Sequence, residues 1–119
     1  MTVTRLDAGP RMSEAVINGD TVYLAGQVPE NLDGDITQQT QEVLAEIDAL
    51  MARLGGSKSD LLSCQIWLTD MADFPGMNAV WDAWVDQSNP PARATCGIAA
   101  LARPGMRIEI IAIARNPKT

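Results

Sequence analysis

Apolar and polar residues alternate along some stretches of the chain with the period of two that a half-buried strand requires. Along others apolar residues recur with the period of a helix. "TVTRL" at 2 to 6 and "SEAVI" at 13 to 17 read as short strands, and "TVYLAGQV" at 21 to 28 as a longer one. Between the last two, "NGD" places Gly19 where a turn calls for positive φ, so 13 to 28 reads as a hairpin. After the loop "PENLDGD", Val43, Leu44, Ile47, Leu50, Met51 and Leu54 form one helical stripe. Asp35 and Gln38 supply a capping box at its start, and Gly55-Gly56 ends it. A strand follows at 61 to 68. A second helix then runs through "DFPGMNAVWDAWVDQ", with Asp73 as its expected cap, Pro75 in its first turn, and Met77, Val80, Trp81 and Trp84 on its buried side. Asn89-Pro90-Pro91 stops it, and "ARATCGIAAL" and "MRIEIIAIAR" are the closing strands, joined by "ARPG".

The order β-β-β-α-β-α-β-β is an α+β pattern in which two helices cover one face of a single sheet. Pattern alone draws the last two strands as a simple C-terminal hairpin. The other face of the sheet stays uncovered although many of its positions are apolar, which predicts packing against another chain.

Residues 1–119 are expected to form one domain, since a chain of 119 residues can bury roughly two-thirds of its unfolded surface without staples. The net charge of −6 repels polyanions and argues against nucleic-acid partners. No apolar run reaches membrane-spanning length, and the first residues lack a basic-then-apolar signal pattern, so no membrane partner and a cytoplasmic address are expected. The chain has no histidine, which removes His-dependent nucleophile systems and the commonest metal ligand. Cys64 and Cys96 lie too far apart for a CxxC site, and both read as buried free thiols.

Two charges need a reason. Glu109 sits in "RIEIIAIA" between isoleucines, sharing a strand face with Ile111 and Ile113. Arg93 in "PPARATCG" shares a face with Thr95 and Gly97. Either the two form a structural ion pair or sit solvated at strand ends, or they build a site. In a site, the planar guanidinium would hold a carboxylate and a partly desolvated carboxyl would move protons. Gly26, in "YLAGQVP", reads as a bulge or turn glycine, or as a place where backbone approaches a ligand. Asn78 reads as a packing or capping amide, and Trp67, Trp81 and Trp84 as core or interface.

Taken together, "GDTVYLAGQVP", the central helix and strand leading to "DMADFPGMNAVWDAWV", and "PPARATCGIAALARPGMRIEIIAIA" resemble the RidA family, also called YjgF or L-PSP, nearly end to end. The resemblance implies a chorismate-mutase-like fold assembled as a homotrimer, sheets inside and helices outside. In that fold the second helix crosses between parallel strands, and the last strand inserts elsewhere in the sheet. It further implies a cofactor-free and metal-free hydrolytic deaminase of enamine/imine intermediates such as 2-aminoacrylate, giving 2-keto acids and ammonia in clefts between subunits. By carry-over, Arg93 matches the arginine that holds the substrate carboxylate and Glu109 the glutamate that positions or activates water. Gly26 matches a glycine whose backbone lines the site, and Thr95 stands where a cysteine is common.

The chain departs from that pattern at two places. Met12, or Arg11 on another count, stands at the family's tyrosine, and Ala25 replaces a serine before Gly-Gln. Carboxylate capture survives these changes, while the substrate is left open, and an inward-turned Arg11 would suit a second acidic group. The alternative is a trimeric protein that binds small carboxylates or keto acids without turnover. Endoribonuclease activity is disfavoured by the acidic charge.

Overall fold

The computed structural model describes residues 2–119. The chain forms strands β1 (Val3–Leu6), β2 (Ala15–Asn18) and β3 (Thr21–Leu24), helix α1 (Ile36–Arg53), strand β4 (Leu61–Leu68), helix α2 (Phe74–Trp84), and strands β5 (Ala92–Gly97) and β6 (Ile108–Arg115). All six strands join one sheet in the order β1-β2-β3-β6-β4-β5. Only β4 and β5 run parallel; every other pair is antiparallel. The expected α+β sheet with two helices on one face is therefore present.

The closing hairpin drawn from pattern alone is corrected. β5 pairs with β4, and β6 inserts between β3 and β4. The connection explains the difference: two parallel strands cannot be joined by a tight turn, and α2 is the crossover that makes β4 and β5 parallel neighbours. β6 is then free to fill the remaining gap, and it is the most completely buried strand. Ile108, Ile110, Ala112 and Ala114 face the helices at 0–1% exposure.

Local sequence accounts for most boundaries. Gly19 takes φ 63° in the β2–β3 turn. Asp35 accepts from the Gln38 N–H while the Gln38 side chain accepts from the Asp35 N–H, closing the expected capping box. Every member of the α1 stripe is buried against the sheet, each contributing roughly 1.5–3 kcal/mol of transfer free energy. Asp73 is not the side-chain cap it was expected to be. A 3₁₀ turn, Met71–Asp73, runs straight into α2, giving Asp73 helical dihedrals, and its carboxylate pairs with Arg107 instead at 3.2 Å. Five strand spans also shorten. β1 begins at Val3, β2 at Ala15 and β6 at Ile108, while β3 stops at Leu24 and β5 at Gly97. No helix is long and apolar enough to cross a membrane among the described residues.

Gln39 is a polar residue at the heart of this arrangement, with no exposed surface. Its amide donates to the carbonyls of Gly34 (3.1 Å) and Gly105 (2.8 Å) and accepts from the Arg107 N–H (2.8 Å). It thus ties the loop before α1 to the segment that launches β6. Its neighbour Thr40 is equally buried, yet its Oγ1 has no hydrogen-bond partner. An unsatisfied buried hydroxyl costs about 1–3 kcal/mol. Replacing Thr40 by Val removes that cost in nearly the same shape. Thr40→Val is expected to raise stability by about 1 kcal/mol, read as a higher urea midpoint at fixed protein concentration with an unchanged slope.

Candidate functional site

Glu109 leaves β6 on the face opposite the helices, in register with Trp67 of β4, which is itself in register with Cys96 of β5. The half-buried Glu109 carboxyl faces no cation among the described residues. Desolvation alone pushes its pKa above the usual carboxylate range. Gly26 explains how the carboxyl fits. A Cβ at this position would lie 2.9 Å from Glu109 Cδ and closer still to Oε2, so only glycine leaves the carboxyl its place. The next residue fixes the backbone that makes the approach. Gln27 exchanges main-chain hydrogen bonds with Ile110 (2.9 and 3.0 Å), while its side-chain amide donates to the Ala25 carbonyl at 2.9 Å. The Gly-Gln pair is therefore a spacer and its clamp.

Arg93 belongs to a different strip. It is in register with Cys64, a core residue beneath the helices, and its guanidinium carbon sits 5.3 Å from the centre of the Trp81 ring on α2. None of the ion pairs among the described residues includes it. Two residues on, Thr95 shares its face, and Asn78 lies one helical turn before Trp81. Both carry a buried oxygen, Thr95 Oγ1 and Asn78 Oδ1, without a hydrogen-bond partner. Gly97 meets Met71 at the far end of the same strip. α2 and β5 therefore carry between them a guanidinium outside any ion pair and two unmatched polar oxygens, groups suited to an anionic ligand that also donates a hydrogen bond.

Arg93 and Glu109 do not meet within one copy. They leave opposite faces of the sheet, two strands and three residues apart, which places their Cα atoms about 14 Å from each other. The structural ion pair considered from the sequence is thereby excluded. Glu109 and Gly26 are brought together, and so are Arg93 and Thr95, but the two groups are separate. Met12 is 51% exposed on the loop between β1 and β2, and Arg11 beside it is also exposed. Neither joins either group.

The cysteines divide. Cys64 is buried, and burial pushes its thiol up to about 12, with Arg93 opposing weakly. Cys96, expected to be buried, is exposed, because β5 is an edge strand and its outer face carries no helix. Asn78 and Trp81 were read as packing residues. Their three-residue spacing on the helix that crosses back over "PPARAT" was the available signal.

A sheet of this order and a Gly-Gln clamp on a strand glutamate define an α+β domain of one protein family. The family model described as Endoribonuclease L-PSP matches residues 2–116. A RutC family protein from Haemophilus influenzae is 45% identical, covering 96% of this chain and 98% of its own. The RutC family protein YoaB from Escherichia coli shows the same identity with the same coverage. The crystal structure of a YjgF family member from Neisseria meningitidis superimposes with a TM-score of 0.93 at 42% identity, covering 100% of this chain and 98% of its own. The chain belongs to this L-PSP/YjgF/RutC family.

The sign of the Glu109 shift gives a prediction. Its folded pKa lies above its unfolded value, so the folded state holds the proton more tightly. Its contribution to stability is then fully present below the unfolded pKa, about 4.3, and is lost as pH rises through the folded value. Glu109→Gln, which stays neutral, should melt higher than the parent at pH 7 and at the same temperature near pH 4. Thermal scans at the two pH values check this.

Proposed function

We propose that this chain is a hydrolytic deaminase of small carboxylate-bearing imines, acting as a homotrimer at sites shared between copies. The observation that carries the reading is the separation of two uncompensated charges on opposite faces of one sheet. Neither forms an ion pair among the described residues. The uncovered face, with Tyr23, Trp67, Ile111 and Ile113 exposed or half-buried on it, is apolar enough to bury against a neighbour. Packing that face on another copy would bring one copy's Glu109 and Gly26 toward a neighbour's β5 edge and Arg93.

In this reading Arg93 holds the substrate carboxylate edge-on through its planar fork. An enamine such as 2-aminoacrylate first tautomerises to the imine, carrying C=N next to the carboxylate. Glu109 accepts a proton from water as the water oxygen bonds to the imine carbon, and the nitrogen takes a proton from solvent, giving a carbinolamine. The C–N bond then breaks and nitrogen leaves as ammonia, taking its electron pair and the proton that Glu109 returns. The C–OH becomes the keto group as it gives its own proton back to solvent. Water is consumed, and a 2-keto acid and ammonia are produced, with no redox change. A carboxyl whose pKa is raised toward neutrality suits both proton transfers.

The test is loss of semicarbazide-trappable imine generated by an amino-acid oxidase. Wild-type protein should accelerate it, and Arg93→Ala and Glu109→Gln should each lower kcat/KM at least 100-fold. Co-expressing the two variants provides the sharper check. In randomly mixed trimers about a quarter of shared sites would regain both native residues, so activity should return to about that fraction. A site within one copy would regain none. Gly26→Ala, which displaces the Glu109 carboxyl, should lower kcat as Glu109→Gln does while leaving 2-ketobutyrate affinity within twofold.

A second reading is a trimeric protein that binds small carboxylates without turnover. Exposed Met12 and half-buried Ala25, neither carrying a side-chain hydrogen-bond donor, favour it. Calorimetric binding of 2-ketobutyrate with no acceleration of imine loss would select it over the deaminase.

A further inference from the structure

Four side chains form a continuous stack from the α2–β5 seam to the outer surface of the helices. Arg93 lies 5.3 Å from the Trp81 ring centre. The Trp81 and Trp84 rings are 5.4 Å apart and inclined at 53°, and the Lys58 ammonium sits 5.1 Å from the Trp84 ring centre. The outer end is fixed: the Trp84 indole N–H donates to Asp48 at 2.9 Å, and Lys58 donates to the Trp84 carbonyl, the last residue of α2. Trp81 itself is 5% exposed and belongs to the core. Its ring therefore cannot move without repacking α2, whereas Arg93, on an edge strand, has no ion pair to hold it.

We infer that Trp81 is the positioning residue of the carboxylate site: its ring supports one face of the Arg93 guanidinium and keeps the fork presented edge-on to the ligand. The inference rests on the reading of Arg93 as the carboxylate anchor and goes beyond it by naming what preorganises that anchor. A long, flexible arginine loses side-chain entropy when it binds an anion. A guanidinium already held over a rigid aromatic ring has lost part of it beforehand. The ring is also a better partner than a carboxylate would be. It attracts the cation without occupying the in-plane donors, so it orients the fork while leaving it able to bind.

The experiment measures carboxylate affinity by calorimetry with 2-ketobutyrate, on the assembled protein, in parallel with imine turnover. Trp81→Leu keeps an apolar side chain but removes the ring. It should weaken 2-ketobutyrate binding about tenfold, as expected for a largely desolvated cation–π contact, and raise KM by the same factor with kcat changed less than twofold. Trp81→Phe, which restores a ring face, should recover most of the affinity. Trp84→Leu serves as the structural control. It breaks the Asp48 hydrogen bond and the Lys58 contact and lowers the melting temperature, but it does not touch Arg93, so affinity should fall less than twofold. Arg93→Lys, which keeps the charge and loses the fork, should bind as weakly as Arg93→Ala.

Equal losses in Trp81→Leu and Trp84→Leu would reduce Trp81 to a packing residue and overturn the inference. Unchanged affinity in Trp81→Leu would do the same. If wild-type protein binds the keto acid but does not turn imines over, the positioning role stands and the deaminase reading falls. If wild-type protein binds no carboxylate at all, both fall together.

Discussion

The register of β6 is the constraint on which the rest of the structure depends. The strand is hydrogen-bonded on both sides, to β3 and to β4, so its side chains have no freedom to change face. A slip of one residue would exchange Ile108, Ile110, Ala112 and Ala114 for Glu109, Ile111, Ile113 and Arg115 beneath the helices. That would bury two charges under α1 and α2, at a cost no repacking could offset. The same apolar set that locks the strand therefore determines that Glu109 emerges on the uncovered face. The buried Gln39 bracket adds a second lock by tying Gly105 and Arg107, just upstream, to the start of α1.

On the other side of β4 the parity is set independently. β5 pairs in parallel with β4, and Cys64 opposite Arg93 belongs to the core. Arg93 and Thr95 must then lie under α2, where Trp81 and Asn78 await them. Because Ala112, and not Glu109, is the β6 residue in register with Cys64 and Arg93, one sheet carries the guanidinium and the carboxyl on opposite faces. In the proposed reading each face presents half of a site, and the proposed packing of copies is what would join the halves.

Much of this was legible in the sequence, for reasons that differ by element. The α1 stripe, its capping box and the β6 alternation were readable because each is a local pattern that burial enforces residue by residue. The order of the strands was not readable locally. "ARATCGIAAL" and "MRIEIIAIAR", separated by a Pro-Gly loop, satisfy every local rule for a hairpin. Only the long-range demand that α2 cross between parallel strands rules it out. Cys96 was misjudged for a related reason: its strand looks apolar, but as an edge strand with one uncovered face it leaves the thiol in the open. Arg93 and Glu109 could be picked out as anomalies, since charges in apolar strands are costly and need a cause. Their separation followed from pairing and parity, which no single stretch encodes. Asn78 and Trp81 were hidden because an amide and an indole on a helix face are ordinary packing choices until the strand beneath them is known.

Keeping the two charges apart in one copy has a chemical consequence. A direct Arg93–Glu109 pair would occupy the guanidinium fork and pull the carboxyl's pKa down, disabling the proposed anchor and the proposed proton carrier together. Separation leaves the fork unpaired on its aromatic support and leaves Glu109 shifted upward by desolvation alone. In the shared site of the proposed trimer, the substrate's own carboxylate would take the fork. The positive charge would then be neutralised before it could act on Glu109, and the carboxyl would keep the raised pKa that proton transfer requires. The stability forgone by leaving two charges uncompensated in each copy is then what holds the site ready. This is the pattern expected where function, rather than folding, has set the placement of charged groups.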